Sequence, residues 1–126
     1  MAILTKGKAS AAFIISQANG YQNSDDVTVT VPADTTYAGG TILGKITATG
    51  KFVRHAAGAG DGSENEAGVL YETLTNTTGS GVDNASTLFI RLSEVAESEL
   101  TYEVGADGAQ VTASNLALKA LGIIVR

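Results

Sequence analysis

The chain has 126 residues and a mass of 12.8 kDa, the size of one ordinary domain. Hydrophobic residues make up 44%, but 19 of them are alanine, so a small set of large side chains has to build the core; 15 glycines and 15 threonines stand beside one proline and no tryptophan. The lack of cysteine excludes disulfides, thiolate zinc sites and a cysteine nucleophile. A net charge of -5, from 13 acidic and 8 basic residues, argues against binding to nucleic acid or an anionic membrane and for a protein partner.

The first twenty residues carry Lys6 and Lys8 and no acid, whereas the remainder is strongly acidic. Thr5 to Ala12 offer little to bury, so residues 1–12 read as a flexible arm that gains order against a partner, followed by a single domain over 13–126. No apolar run approaches the roughly 18–20 residues that a membrane helix needs, and Met1 to Leu4 is too short for a signal-peptide core, so a soluble compartment is expected.

Beyond the arm the apolar period is two. Ala12 to Ser16 is a short β-rich run closed by the turn pair Asn19-Gly20. Val27-Thr28-Val29-Thr30-Val31 alternates strictly, three valines on one face and two threonines on the other, until Pro32 removes a ladder donor. After the Gly39-Gly40 break, Thr41 to Ile46 and Lys51 to Arg54 flank Gly50 and read as a hairpin. Further strands are expected at Gly68 to Tyr71, at Leu88 to Leu92 and at Leu100 to Tyr102, with loops over Ala56 to Glu66 and Thr75 to Asn84. Leu88, Ile90 and Leu92 would then share one side.

Only the last quarter changes period. Val111, Leu118 and Leu121 recur at helical spacing from Gln110 to Leu121, Thr112 and Asp107 are candidate N-caps, and Gly122 is placed as the C-cap. Ile123-Ile124-Val125 is β-branched and reads as a final strand returning to the sheet.

No constellation of residues makes a convincing catalytic or metal site, and no cofactor is expected. His55 is the only histidine, has alanines and glycines around it, and is read as a surface residue. Asp61 to Glu66 is oxygen-rich but lacks the spacing of a calcium loop, so it is read as a turn. Glu94, Glu97, Glu99 and Glu103 are read as a solvated acidic turn, because little aromatic bulk is at hand to desolvate a catalytic carboxylate. Asn76-Thr77-Thr78 and Asn84-Ala85-Ser86 fit the glycosylation rule but are common by chance in a threonine-rich chain.

The order of the segments carries more than any one of them. Phe13-Ile14-Ile15-Ser16-Gln17-Ala18-Asn19-Gly20, Val27-Thr28-Val29, Ala38 to Thr47, Gly50-Lys51-Phe52, Asp61-Gly62-Ser63-Glu64, Ala67 to Tyr71, Glu99 to Tyr102 and Ala120 to Arg126 form a collinear series. Over residues 11 to 126 that series resembles the head decoration proteins of tailed bacteriophages, the family typified by the phage lambda decoration protein. The sequence departs from the family at Tyr102, where relatives often have tryptophan, and at Glu103, where they often have proline.

The resemblance implies a mainly β fold, a β-clip-like bent antiparallel ribbon with one C-terminal helix and a short final strand. It also implies a non-enzymatic homotrimer that binds the major capsid protein at three-fold and quasi-three-fold sites. There, on the virion's outer surface, it would clamp the expanded head against internal DNA pressure, after synthesis in the bacterial host cytoplasm. The arm is expected to add to the shell's sheet. Ile3, Leu4, Lys6 and Lys8 are the expected shell contacts, with Phe13 and Ile15 as anchors where the arm enters the body. The alternatives are a β-rich domain of a phage fibre or surface layer and, among enzymes, a trimeric β-clip nucleotide hydrolase.

Overall fold

The computed structural model describes residues 11–18 and 22–126. The arm residues Ile3, Leu4, Lys6 and Lys8 and the Asn19-Gly20 pair lie outside the described residues. Among the described residues, ten strands and one α-helix follow in chain order: β1 (Ile14–Gln17), β2 (Ser24–Val31), β3 (Thr35–Tyr37), β4 (Ile42–Lys45), β5 (Phe52–Arg54), β6 (Glu66–Leu70), β7 (Leu74–Asn76), β8 (Val82–Phe89), β9 (Ser93–Val95), α1 (Gly108–Ala120) and β10 (Ile123–Val125). The fold is mainly β, with the helix late in the chain and a final strand after it.

Strands β2, β5, β4, β6 and β8 close into a barrel in that order. Its neighbours are antiparallel except at the closure, where β2 meets β5 in parallel through Val29 and Phe52. The longest ladder joins β2 to β8 over eight residue pairs, from Ser24↔Phe89 to Val31↔Val82. A second sheet has the order β1-β9-β10, with β9 and β10 parallel, and β3 pairs with β7 in a small ribbon.

Two apolar cores result. Val29, Val31, Leu43, Phe52, Leu70 and Leu88, drawn from all five barrel strands, fill the barrel with Tyr37 of β3. Ile42, Val69 and Phe89 point the other way and meet Phe13, Val95, Leu100, Leu118 and Ile123 in a second core beneath the three-stranded sheet and α1. Consecutive residues on β4, β6 and β8 therefore serve opposite cores, because successive side chains of a strand point to opposite faces. Burying one such side chain contributes about 1.5–3 kcal/mol, so both layers are well anchored to this shared wall.

Backbone proximity favours glycine at several positions, Gly40 and Gly68 among them. Gly40 has φ of +96°, and a Cβ there would stand 2.6 Å from the Glu99 carbonyl oxygen and against Phe13. Gly68 of β6 lies so close to the Phe89 carbonyl and the Leu88 side chain that a Cβ would clash with both.

The helix starts at Asp107, whose carboxylate accepts from the Gln110 amide at 2.8 Å while the Gln110 side chain accepts from the Asp107 amide at 2.9 Å. This reciprocal pair satisfies two N-terminal donors. Leu121 ends the helix and Gly122 follows at φ +91°. The inward face is Ser114 and Leu118; Val111 is half-buried and Leu121 exposed, so the helix turns a narrower apolar face inward than its leucine spacing implies.

Several local readings change, and the strand expected over Leu100 to Tyr102 reduces to a single parallel bridge between Thr101 and Thr41. β8 begins at Val82, in the segment read as a loop, because its backbone pairs with β2 while Asp83 bonds to Thr30 and Lys51. It stops at Phe89, so Leu92 leaves the strand with φ +52° and faces solvent. The acidic stretch read as one turn divides: Glu94 sits in β9, Glu97 to Glu99 form a 3-10 turn, and Glu103 holds a buried carboxylate oxygen.

Candidate functional site

Phe13 is fully buried in the second core, with its ring edge-to-face with Phe89 at 5.7 Å. It fastens the start of the body and has no surface to offer a partner. Ile15 differs. It sits where the β1–β9 register shifts between Ile14↔Val95 and Ser16↔Glu94, and is 49% exposed. A bulge of this kind re-aims the side chain.

Beside Ile15, the outer face of the three-stranded sheet is held by a polar network. Ser16 Oγ donates to Glu94 Oε2 at 2.8 Å, and Arg126 Nε donates to Glu94 Oε1 at 2.9 Å. The Ser16 hydrogen bond first, then that from Arg126, holds the Glu94 carboxyl below its ordinary value. Ile124 lies next to Glu94 in register and remains 43% exposed. With Leu116 of α1, 63% exposed, it lines a groove of about 270 Å³ completed by Thr112, Asn115, Lys119 and Val125.

Leu92 and Leu121 join the same end of the molecule, where the Ser93 amide donates to the Gly122 carbonyl. Ile15, Leu92, Leu116, Leu121 and Ile124 are thus five of the eight exposed large apolar residues among the described residues. Clustered exposed apolar side chains mark interaction surfaces more often than scattered ones. Among the described residues β1 and β10 are also the outer strands of their sheet, so each presents an edge on which another strand can pair. Sequence reading singled out Ile15 alone in this group. The available signal was Ile123-Ile124-Val125, where one buried face needs only alternate apolar residues and three in a row leave one to explain.

The polar motifs resolve as local structure. Asp61 accepts from the amide and hydroxyl of Ser63, a turn that lowers its pKa. Asn76 is buried; its amide donates to the carbonyls of Val31, Pro32 and Ser80 and its oxygen accepts from Thr78, so it organises the loop after β7. Tyr102 donates to Asn115 Oδ1 at 2.6 Å, and burial, aided by the charge of Glu97, pushes its pKa up to about 12. No group of three or more histidine, aspartate or glutamate side chains suited to a metal ion occurs among the described residues.

His55, read as a surface residue, is 4% exposed. The end of β5 carries it under α1, where its Nε2 lies 3.0 Å from the Glu64 carbonyl oxygen and 3.3 Å from Glu66 Oε1. Its alanine and glycine neighbours in sequence gave no sign of this burial, because the covering groups come from β6, α1 and the chain around Glu103.

No helix among the described residues is long and apolar enough to cross a membrane. Among curated proteins no sequence match was found. The family model described as bacteriophage lambda head decoration protein D matches residues 3–123, nearly the whole chain. A structural component of the phage head is consistent with a surface that offers apolar side chains and strand edges, and the chain belongs to the phage lambda head decoration protein D family.

Proposed function

We propose that the protein cements the expanded phage head from outside, as homotrimers at three-fold and quasi-three-fold sites, and stabilises the shell against internal DNA pressure without catalysis. The observation that carries this reading is the family match over residues 3–123. Binding the mature shell better than its ruptured or contracted states is enough to stabilise it by mass action. Residues 1–12 reach the shell, with Ile3 and Leu4 as apolar contacts and Lys6 and Lys8 as charges opposite to the acidic body. Ile15, exposed at the β1 bulge, extends that contact onto the body. The groove of Leu116 and Ile124 supplies apolar surface for contact between copies.

The test is co-sedimentation with expanded, undecorated shells of the matching phage. Saturation near one copy per capsid subunit is expected, and deletion of residues 1–12 is expected to abolish binding while leaving a folded trimer. Full binding by the truncated protein would remove the arm from the mechanism, and no binding by the intact protein would overturn the reading. Self-polymerisation without a shell would instead favour the fibre or surface-layer alternative.

A further inference from the structure

Beneath α1 lies a cavity of about 200 Å³ walled by His55, Glu64, Glu66, Glu103, Gln110 and Ser114. Exposed Ala57 and Ala113 stand at its rim, so it opens to solvent. Three buried side-chain atoms among the described residues lack a hydrogen-bond partner, and two of them, His55 Nδ1 and Glu103 Oε1, belong to residues that line this one cavity. Buried polar groups are nearly always paired, so two unpaired atoms at one place call for a ligand.

The chemistry of that ligand follows from the hydrogen bonds already made. His55 Nε2 faces the Glu64 carbonyl oxygen at 3.0 Å and Glu66 Oε1 at 3.3 Å. Both are acceptors, since Glu66 Oε1 already accepts from Ser114 Oγ at 2.6 Å. These two acceptors favour the tautomer with its hydrogen on Nε2, in which Nδ1 is an acceptor. Glu103 Oε2 accepts from the Ala57 amide at 2.6 Å, and its Oε1 is an acceptor too. Both unpaired atoms thus want a donor, and the lining brings the carboxylates of Glu66 and Glu103 with no lysine or arginine, while the Glu64 carboxylate turns back to the Gly62 amide. We propose that this cavity is a binding site for an alkylammonium group, either a free amine or the head of a lysine from a neighbouring protein. The ammonium carries three donors and a charge that the carboxylates favour, and the volume admits it with its first methylenes, given about 30 Å³ for one water.

The test is an amide NMR titration of the intact protein with n-butylammonium chloride, with tetramethylammonium chloride at equal ionic strength as the donor-free control. Saturable shifts centred on Ala57, Glu64, Glu66 and Ser114 are expected with butylammonium alone. Glu103→Gln is expected to weaken binding at least about tenfold, as loss of a charged hydrogen-bond partner implies. Ala113→Leu, at an exposed helix position that tolerates leucine, is expected to close the mouth and abolish the shifts. Equal shifts with tetramethylammonium, no saturable shift, or undiminished binding in both variants would overturn the site. The source is read separately, on the cementing role proposed above: loss of shell binding in Ala113→Leu assigns the ammonium to a shell lysine, and intact shell binding assigns it to a free amine.

Discussion

Strands β2 and β6 run through the same barrel and read differently in sequence. β2 alternates Val27, Val29 and Val31 with Thr28 and Thr30, so the barrel core takes one face and solvent the other. β6 ends Gly68-Val69-Leu70, all buried, with Val69 in the second core and Leu70 in the barrel. β4 and β8 repeat the pattern with Ile42-Leu43 and Leu88-Phe89. Alternation marks the part of the barrel left bare, and adjacent apolar pairs mark the part covered by α1 and the β1-β9-β10 sheet.

The sharpest way to break that comparison is Phe89→Ala. It removes the ring that joins β8 to Phe13 and is expected to cost about 3–5 kcal/mol, a large share of a typical domain stability of about 5–15 kcal/mol, as read by urea unfolding. Gly68→Ala tests the same wall by crowding it. A Cβ forced against Phe89 and Leu88 is expected to cost about 1–3 kcal/mol, and a neutral outcome would show that the layers are not tightly apposed.

Asp107→Ala acts on the covering layer alone. Losing the capping box is expected to cost about 1 kcal/mol, visible as a lower urea midpoint.

The pH dependence of the covering sheet rests on Glu94. Its folded pKa is depressed from 4.5 by Ser16 and then Arg126, so the unfolded state binds the proton more readily. The contribution is present above 4.5 and is lost as pH falls through the lower folded value. Glu94→Gln is expected to lower stability slightly at neutral pH and to converge with the parent in acid, checked by unfolding at a series of pH values. At the small end, Thr28→Val on the exposed face of β2 is expected to stay within about 0.5 kcal/mol of the parent.

Much of the fold was legible because local physics wrote it. The valine–threonine alternation of β2, the hairpin around Gly50, the Asp107 cap and the β-branched ending each follow from backbone preferences of neighbouring residues. β3, β7, β9 and the first half of β8 were not legible. Their residues are polar or few, and pairing to partners far along the chain decides their state.

The candidate surface divides the same way. Ile15 was found because it is apolar at the root of the arm, and its neighbour Phe13 turned out to be buried because Phe89, some seventy-six positions away in sequence, covers it. Burial is a property of what arrives from elsewhere, and no window around Phe13 or His55 contains that information.

The sequence by itself determined the β-rich class, the late capped helix and, through a collinear series of weak motifs, the family. Tertiary structure alone decided that adjacent apolar residues would part between two cores, that His55 would be buried beside Glu66 under α1, and that Leu116 and Ile124 would share an open groove. The reason is that propensity and periodicity act over a few residues, whereas sheet order and layer contact join residues tens of positions apart.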